Sequence, residues 1–213
     1  MGPFVTLEGG EGAGKSTLIA TLARRLVESG REVVVTREPG GSPLAERLRG
    51  LLLSGAFRAA GPEVEAVVFA AARSDHLSKT VVPALERGAV VLCDRFVDST
   101  RVYQGNAGDV PLALLEELAR EAVGARMPDL TLVLDVPASI GASRAAARRG
   151  TAVVDRFEGE GASFHEKVRE GFLDVARSAP ERCRVLDATR SPELVADEAW
   201  ALLSDLLPPA PRR

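Results

Sequence analysis

Gly9-Gly10-Glu11-Gly12-Ala13-Gly14-Lys15-Ser16-Thr17 is a loop of four glycines closed by a lysine and two hydroxyls. It fits G-x-x-x-x-G-K-[ST], a pattern that lets the backbone wrap round a phosphate chain with its amides pointing inward. Before it, residues 4–7 (Phe-Val-Thr-Leu) read as a short buried strand. After it, Leu18, Leu22 and Leu26 recur every four residues, one stripe of a helix. Strand before and helix after is the context the motif requires, and a helix starting at Ser16 adds its positive end to the cradle. Lys15 is then placed to reach the β- and γ-phosphates of a nucleoside triphosphate, and the Ser16 hydroxyl to ligate its Mg2+.

The alternation begun there continues through the chain. β-rich apolar runs fall at 4–7, 32–36, 89–93, 130–135 and 184–186. Helical spacing occupies 16–28, 44–53, 63–86, 112–123, 138–148, 164–177 and 192–207. Nearly continuous apolar strands separated by helices predict an α/β fold with a five-stranded parallel sheet covered on both faces. The 213 residues suit one domain, taken as 1–207, and the proline-rich 208–213 reads as a disordered tail.

Composition narrows the classes. At 46% apolar and 27% charged, the chain is neither disordered nor a rod. A net charge of −3 argues against a nucleic-acid surface. No apolar run approaches membrane length, and the first ten residues lack a basic n-region, so a cytoplasmic protein is expected. Cys93 and Cys183 sit in or beside apolar runs, as free thiols in a reducing compartment. Only Lys15, Lys79 and Lys167 of the 27 basic residues are lysine, which reads as a compositional bias towards arginine.

Ligands in such sheets bind at the carboxyl ends of the strands, so residues just past each run carry the most information. The second run ends in Thr36-Arg37-Glu38-Pro39-Gly40-Gly41 and the third in Asp94-Arg95-Phe96. Asp94 there would help hold the metal, and Arg37 with Arg95 would form a planar receptor for a second anion. Phe69 and Arg73 lie one helical turn apart, and spacing alone reads better as a core ring beside a solvated arginine. Asp98-Ser99-Thr100-Arg101-Val102-Tyr103-Gln104-Gly105 is a polar post-strand segment, with a solvated loop or helix start as its bland reading. Arg144 and Arg148 share a helix face, with Arg149 and Gly150 following, a pattern for a mobile arginine lid or a basic helix end.

Leu7-Glu8-Gly9 through Ser16, Thr36-Arg37-Glu38-Pro39-Gly40-Gly41, Asp94-Arg95-Phe96 and Tyr103-Gln104-Gly105 together resemble the thymidylate kinases of bacterial type, from about residue 4 to 190. That resemblance implies a P-loop kinase fold with an arginine-rich lid near 144–158, and transfer of phosphate from ATP to dTMP with Mg2+. Gly9, Gly10, Glu11, Gly12, Ala13, Gly14, Lys15, Ser16 and Thr17 would bind ATP, and Ser16 with Asp94 would serve Mg2+. For dTMP, the resemblance implies Arg37 and Arg95 on the 5′-phosphate, Phe69 stacked on thymine and Arg73 on its carbonyl. Glu11, Ser99, Thr100, Tyr103 and Gln104 would lie near sugar and base, with Tyr103 crowding a 2′-hydroxyl. The loop 187–192 would lie near adenine. Gly12 stands where one branch of the family carries an arginine, so Arg144, Arg148 and Arg149 would join Lys15 and Arg95 as the catalytic cations. The lid reads Arg-Ala-Ala-Ala-Arg-Arg rather than alternating, and Phe96 replaces a commoner Tyr or His. A homodimer is also implied, with 63–86 and 112–123 as its faces.

Two rivals compete. Another nucleoside monophosphate kinase would keep the P-loop and differ at Phe69, Arg73 and Tyr103. A GTP-dependent switch would need N-K-x-D, yet the only Asn is Asn106, followed by Ala107. His76 and His165 read as surface or structural residues, since an ionised phosphate nucleophile needs no strong base.

Overall fold

A computed structural model describes residues 1–149 and 159–207, apart from the side chains of 148 and 149. The expected tail and the lid segment 150–158 lie outside the described residues. Five parallel strands run β1 (Phe4–Glu8), β2 (Val33–Arg37), β3 (Val90–Asp94), β4 (Leu130–Asp135) and β5 (Cys183–Asp187), in spatial order β2-β3-β1-β4-β5. All five lie within a residue or two of their expected positions. The central strands β1, β3 and β4 are buried on both faces and therefore read as nearly continuous apolar runs. The edge strands β2 and β5 expose Val35 and Val185.

The register brings the functional ends level: Leu7 pairs with Asp94, and Asp94 with Arg37, on one edge of the sheet. One face packs Val5 and Leu7 against Leu18, Leu22 and Leu26 of α1 (Lys15–Glu28) and Val195, Ala199 and Leu203 of α9 (Pro192–Ser204). Each such fully buried leucine contributes roughly 1.5–3 kcal/mol. Phe4, Val91 and Cys93 point to the other face, where the Phe4 and Phe96 rings meet edge to face at 5.0 Å.

The remaining helices are α2 (Pro43–Leu53), α3 (Pro62–His76), α4 (Val82–Glu86), α5 (Val97–Thr100), α6 (Leu112–Val123), α7 (Ala138–Arg149) and α8 (Ala162–Ser178). The helix expected over 63–86 is divided: a wide π-helical turn over Leu77–Val81 separates α3 from α4. Pro83 is the reason, because it has no N–H for the carbonyl of Lys79 and its ring crowds that carbonyl. The last helix stops at Ser204 rather than continuing to 207. The segment 97–106, open between loop and helix in the sequence, is helical throughout, with Val97, Asp98, Thr100, Val102, Tyr103 and Gln104 buried. No helix among the described residues is long and apolar enough to cross a membrane.

Candidate active site

The P-loop joins β1 to α1, and its strain is carried by glycine. Gly9, Gly12 and Gly14 have φ of 135°, 64° and 98°, in the left-handed half of the map that side chains avoid. Gly12 carries a second constraint, since a Cβ there would stand 2.0 Å from the carbonyl oxygen of Gly141 in α7. Gly141 returns the contact, its own Cβ position lying 2.4 Å from Glu11 O. The loop therefore rests directly on α7, and position 12 holds no side chain for a steric reason.

Lys15 is 8% exposed and donates from Nζ to Gly9 O at 3.0 Å and Gly10 O at 2.9 Å. Burial and the neighbouring Arg95 push its pKa down from 10.5 to about 8, against the pull of Asp94, Glu11 and Glu8. Arg95 Nη1 donates to the same Gly9 carbonyl at 3.0 Å and to Ser99 Oγ at 3.2 Å. Its guanidinium lies 4.9 Å from the centre of the Tyr103 ring, with Glu11 3.7 Å away. Two cations thus meet at one carbonyl oxygen and repel each other, an arrangement relieved by anions.

Asp94 lies between them and the helix start. Its Oδ2 accepts a long 3.5 Å contact from Ser16 Oγ, and its buried Oδ1 has no hydrogen-bond partner among the described residues. An orphaned carboxylate oxygen beside a hydroxyl is the donor set that a hard cation takes when phosphates and waters complete its shell. The residues fit Mg2+. No group of three or more His, Cys, Asp or Glu among the described residues could hold a metal without such help.

These residues open into one cleft of about 220 Å3. Of the residues expected to bind, Glu11, Gly12, Ala13, Gly14, Lys15 and Ser16 line it from the P-loop side. Arg37, Phe69, Arg73, Asp94, Arg95, Ser99, Thr100, Tyr103 and Gln104 line it from the other. Gly9 and Gly10 meet Lys15 through their carbonyls, while Thr17 lines a separate recess behind the loop. Arg144 is in that recess too, with Gly12, Gly14 and Arg190, and its Nη1 donates to Ala188 O at 2.9 Å. It therefore sits beside the 187–192 loop rather than in the main cleft. Arg148 and Arg149 belong to the last turn of α7, and their side chains are outside the described residues.

Arg73 corrects its spacing-based reading. It is 3% exposed, not solvated: Nε donates to Glu38 Oε2 at 2.8 Å and Nη2 to Thr100 Oγ1 at 2.8 Å. Glu38 Oε1 also receives His76 Nδ1 at 3.0 Å, and His76 Nε2 meets Thr36 Oγ1 at 2.7 Å. The carboxylate neighbour assigns the ring proton to Nδ1, leaving Nε2 to accept from Thr36. His76 is structural, as expected, and wholly buried. Arg37 is 54% exposed and bonded to Glu46, so it is a rim cation beside the more deeply held Arg95.

Sequence reasoning missed Glu8 and Glu38, both buried. It also missed Arg49 and Leu53, which line the cleft from α2. Their i,i+4 spacing was the available signal, since it puts both on one helix face. Asp98 was quoted without a role; it takes a bidentate pair from Arg182 at 2.7 and 2.8 Å, clamping α5 to the start of β5.

A hydrolase needs a single phosphate cradle. Here a second cationic wall faces the first across one cleft, and that pairing defines a P-loop kinase. The sequence profile of the thymidylate kinase family matches residues 7–199. A thymidylate kinase of Bradyrhizobium diazoefficiens is 51% identical over 210 residues, covering 99% of this chain and 92% of the relative. One of Nitrobacter hamburgensis is 52% identical over 204 residues, covering 96% and 89%. The chain belongs to the thymidylate kinase family and is an enzyme.

Proposed function

We infer that the protein transfers the γ-phosphoryl group of ATP to dTMP, giving ADP and dTDP. The observation that carries this reading is the convergence of Lys15 and Arg95 on Gly9 O, two cations brought together in one cleft. The P-loop amides and Lys15 hold the ATP phosphates, while Arg95 and the rim cation Arg37 hold the 5′-phosphate of dTMP. Ser16 and Asp94 would hold Mg2+, which would supply neutralising charge to the transferring phosphoryl group. Phe69 gives the thymine a stacking face, and Arg73, held in position by Glu38 and Thr100, donates to its carbonyl. Tyr103, buried beside Arg95, narrows the sugar end against a 2′-hydroxyl. Ser99 and Gln104 complete that wall.

The attacking oxygen of dTMP is already ionised near neutral pH, so no general base is needed. The rate comes from aligning two mutually repelling anions and neutralising the migrating group. Gly12, pressed on α7, offers no side chain to the γ-phosphate, and the family resemblance assigns that role to Arg148 and Arg149 of the lid. Arg144 serves the adenine end beside the 187–192 loop.

A homodimer is part of this proposal. Exposed Leu44 and Leu51 of α2, Val64 and Val67 of α3, and Leu112 of α6 give adjacent helices apolar outer positions. The reaction fits the cytoplasm, as do two thiols that burial keeps protonated, Cys183 with its pKa pushed up to about 11.

The test is a coupled ADP-release assay with ATP, Mg2+ and each nucleoside monophosphate. Strong turnover with dTMP, weaker with dUMP and little with AMP or CMP is expected. Preference for another acceptor would discard the roles of Phe69, Arg73 and Tyr103.

A further inference from the structure

Glu8, at the end of β1, is fully buried and does not line the cleft. Its carboxylate is nevertheless saturated with donors. Oε1 accepts Phe96 N–H at 2.8 Å and Ser99 N–H at 3.3 Å, and Oε2 accepts the Ser99 hydroxyl at 2.6 Å. Burial, with the charge of Asp98 adding to it, pushes the Glu8 carboxyl pKa up to about 8, against the Ser99 hydroxyl, Arg95 and the Phe96 amide, which favour the charged form.

The three donors bracket Arg95. Arg95 has φ of 68°, one of two non-glycine residues with positive φ among those described. That conformation costs on the order of 1–2 kcal/mol and persists only where the surroundings over-determine it. The restraints here are identifiable. Arg95 N–H is held by Leu7 O at 3.0 Å, and the next amide, Phe96 N–H, turns out of the strand ladder into Glu8. The side chain is held by the same carboxylate at one remove: Ser99 Oγ donates to Glu8 Oε2 and accepts from Arg95 Nη1 at 3.2 Å. Backbone and guanidinium of Arg95 are therefore both referred to one buried carboxyl group.

We propose that Glu8 is the positioning residue for the acceptor-phosphate arginine, fixing Arg95 through the Phe96 amide and the Ser99 hydroxyl. The inference rests on the reading of Arg95 given above. Glu8→Gln keeps the size but sets an NH2 donor against the donors already present, so both restraints on Arg95 are disturbed.

The measurement is the affinity of dTMP relative to thymidine, which lacks the phosphate, by titration calorimetry on the full chain. Glu8→Gln is expected to weaken dTMP about tenfold while thymidine changes less than about twofold, the scale for losing a hydrogen bond to a charged group. The KM for ATP is expected to stay within about twofold, a split that general loosening of the fold would not give. Ser99→Ala, a smaller change, is expected to act in the same direction by about threefold, and it carries the test if Glu8→Gln does not fold. Equal weakening of dTMP and thymidine, or no change in either, overturns the proposal. Arg95→Ala separates the layers: if it leaves the dTMP-to-thymidine ratio intact, the reading of Arg95 falls and Glu8 with it. If Arg95→Ala abolishes the ratio while Glu8→Gln and Ser99→Ala do not, only the role of Glu8 falls.

Discussion

Glu38→Gln removes one charge from the pair that holds Arg73, and the structure sets the size of the effect. The Arg73 and Glu38 side chains are 3% and 5% exposed and 2.8 Å apart. Without the carboxylate, the guanidinium stays buried with the Thr100 hydroxyl and the Phe96 ring, 5.3 Å away, as its neighbours. Stripping one partner from a buried pair costs about 3–5 kcal/mol. Glutamine keeps one carbonyl for Arg73 or His76, which places this case near the lower end, at about 3 kcal/mol. For a chain of this length that corresponds to a fall in Tm of about 6–12 °C. The exposed pair Arg24–Glu28 is the control: Glu28→Gln is expected to shift Tm by no more than about 2 °C. The double variant Glu38→Gln/Arg73→Met leaves no charge buried at this pair and is expected to regain more than half of the lost Tm. It is also expected to lose preference for dTMP, because the donor proposed to read the base is gone. Calorimetric melts without nucleotide read the stability, and KM for dTMP at 20 °C, a temperature chosen for the assay, reads the base site. A single-variant fall of less than about 2 °C, or a double variant no better than the single, would refute the assignment of Glu38 as counter-charge.

Three further outcomes are expected. Lys15→Met and Arg95→Ala should each lower kcat by at least about 10²-fold in the ADP-release assay, and near-normal turnover would remove that residue from the mechanism. The Lys15 amine, with its pKa lowered to about 8, loses its charge as pH rises through that value, so kcat/KM for ATP should fall above pH 8. Bound phosphates reverse the shift, placing the kcat limb at higher pH; since the unfolded chain holds this proton up to its ordinary 10.5, stability from Lys15 rises between those values. A flat profile to pH 10 would contradict the burial of Lys15. Gly141→Ala drives a Cβ to 2.4 Å from Glu11 O, so KM for ATP should rise several-fold with a stability loss of about 1–3 kcal/mol. Gly50→Ala, whose Cβ meets nothing within 4 Å, is the matched control.

The sheet and the P-loop were legible because their causes are local. Five apolar runs mark five strands, three of them nearly continuous because β1, β3 and β4 are buried on both faces. The glycine pattern of residues 9–14 needs only its own φ angles to form a cradle. Arg37, Asp94 and Arg95 could be placed on the same edge from strand ends alone, and the register agrees. Phe69 and Arg73 needed the family resemblance, because their spacing alone favours a core ring beside a solvated cation. What no local reading could supply was the set of buried acids that aim the cations. Glu8 meets Ser99 across 91 residues, Glu38 meets Arg73 across 35, and Asp98 meets Arg182 across 84. A carboxylate in isolation reads as solvated, and only the folded chain removes its water and offers donors in exchange. The sequence by itself determined where the phosphate cradle forms and which strands surround it. The tertiary structure decided which charges are buried, which partners neutralise them and how rigidly each arginine is held, because those depend on contacts between segments far apart in the chain.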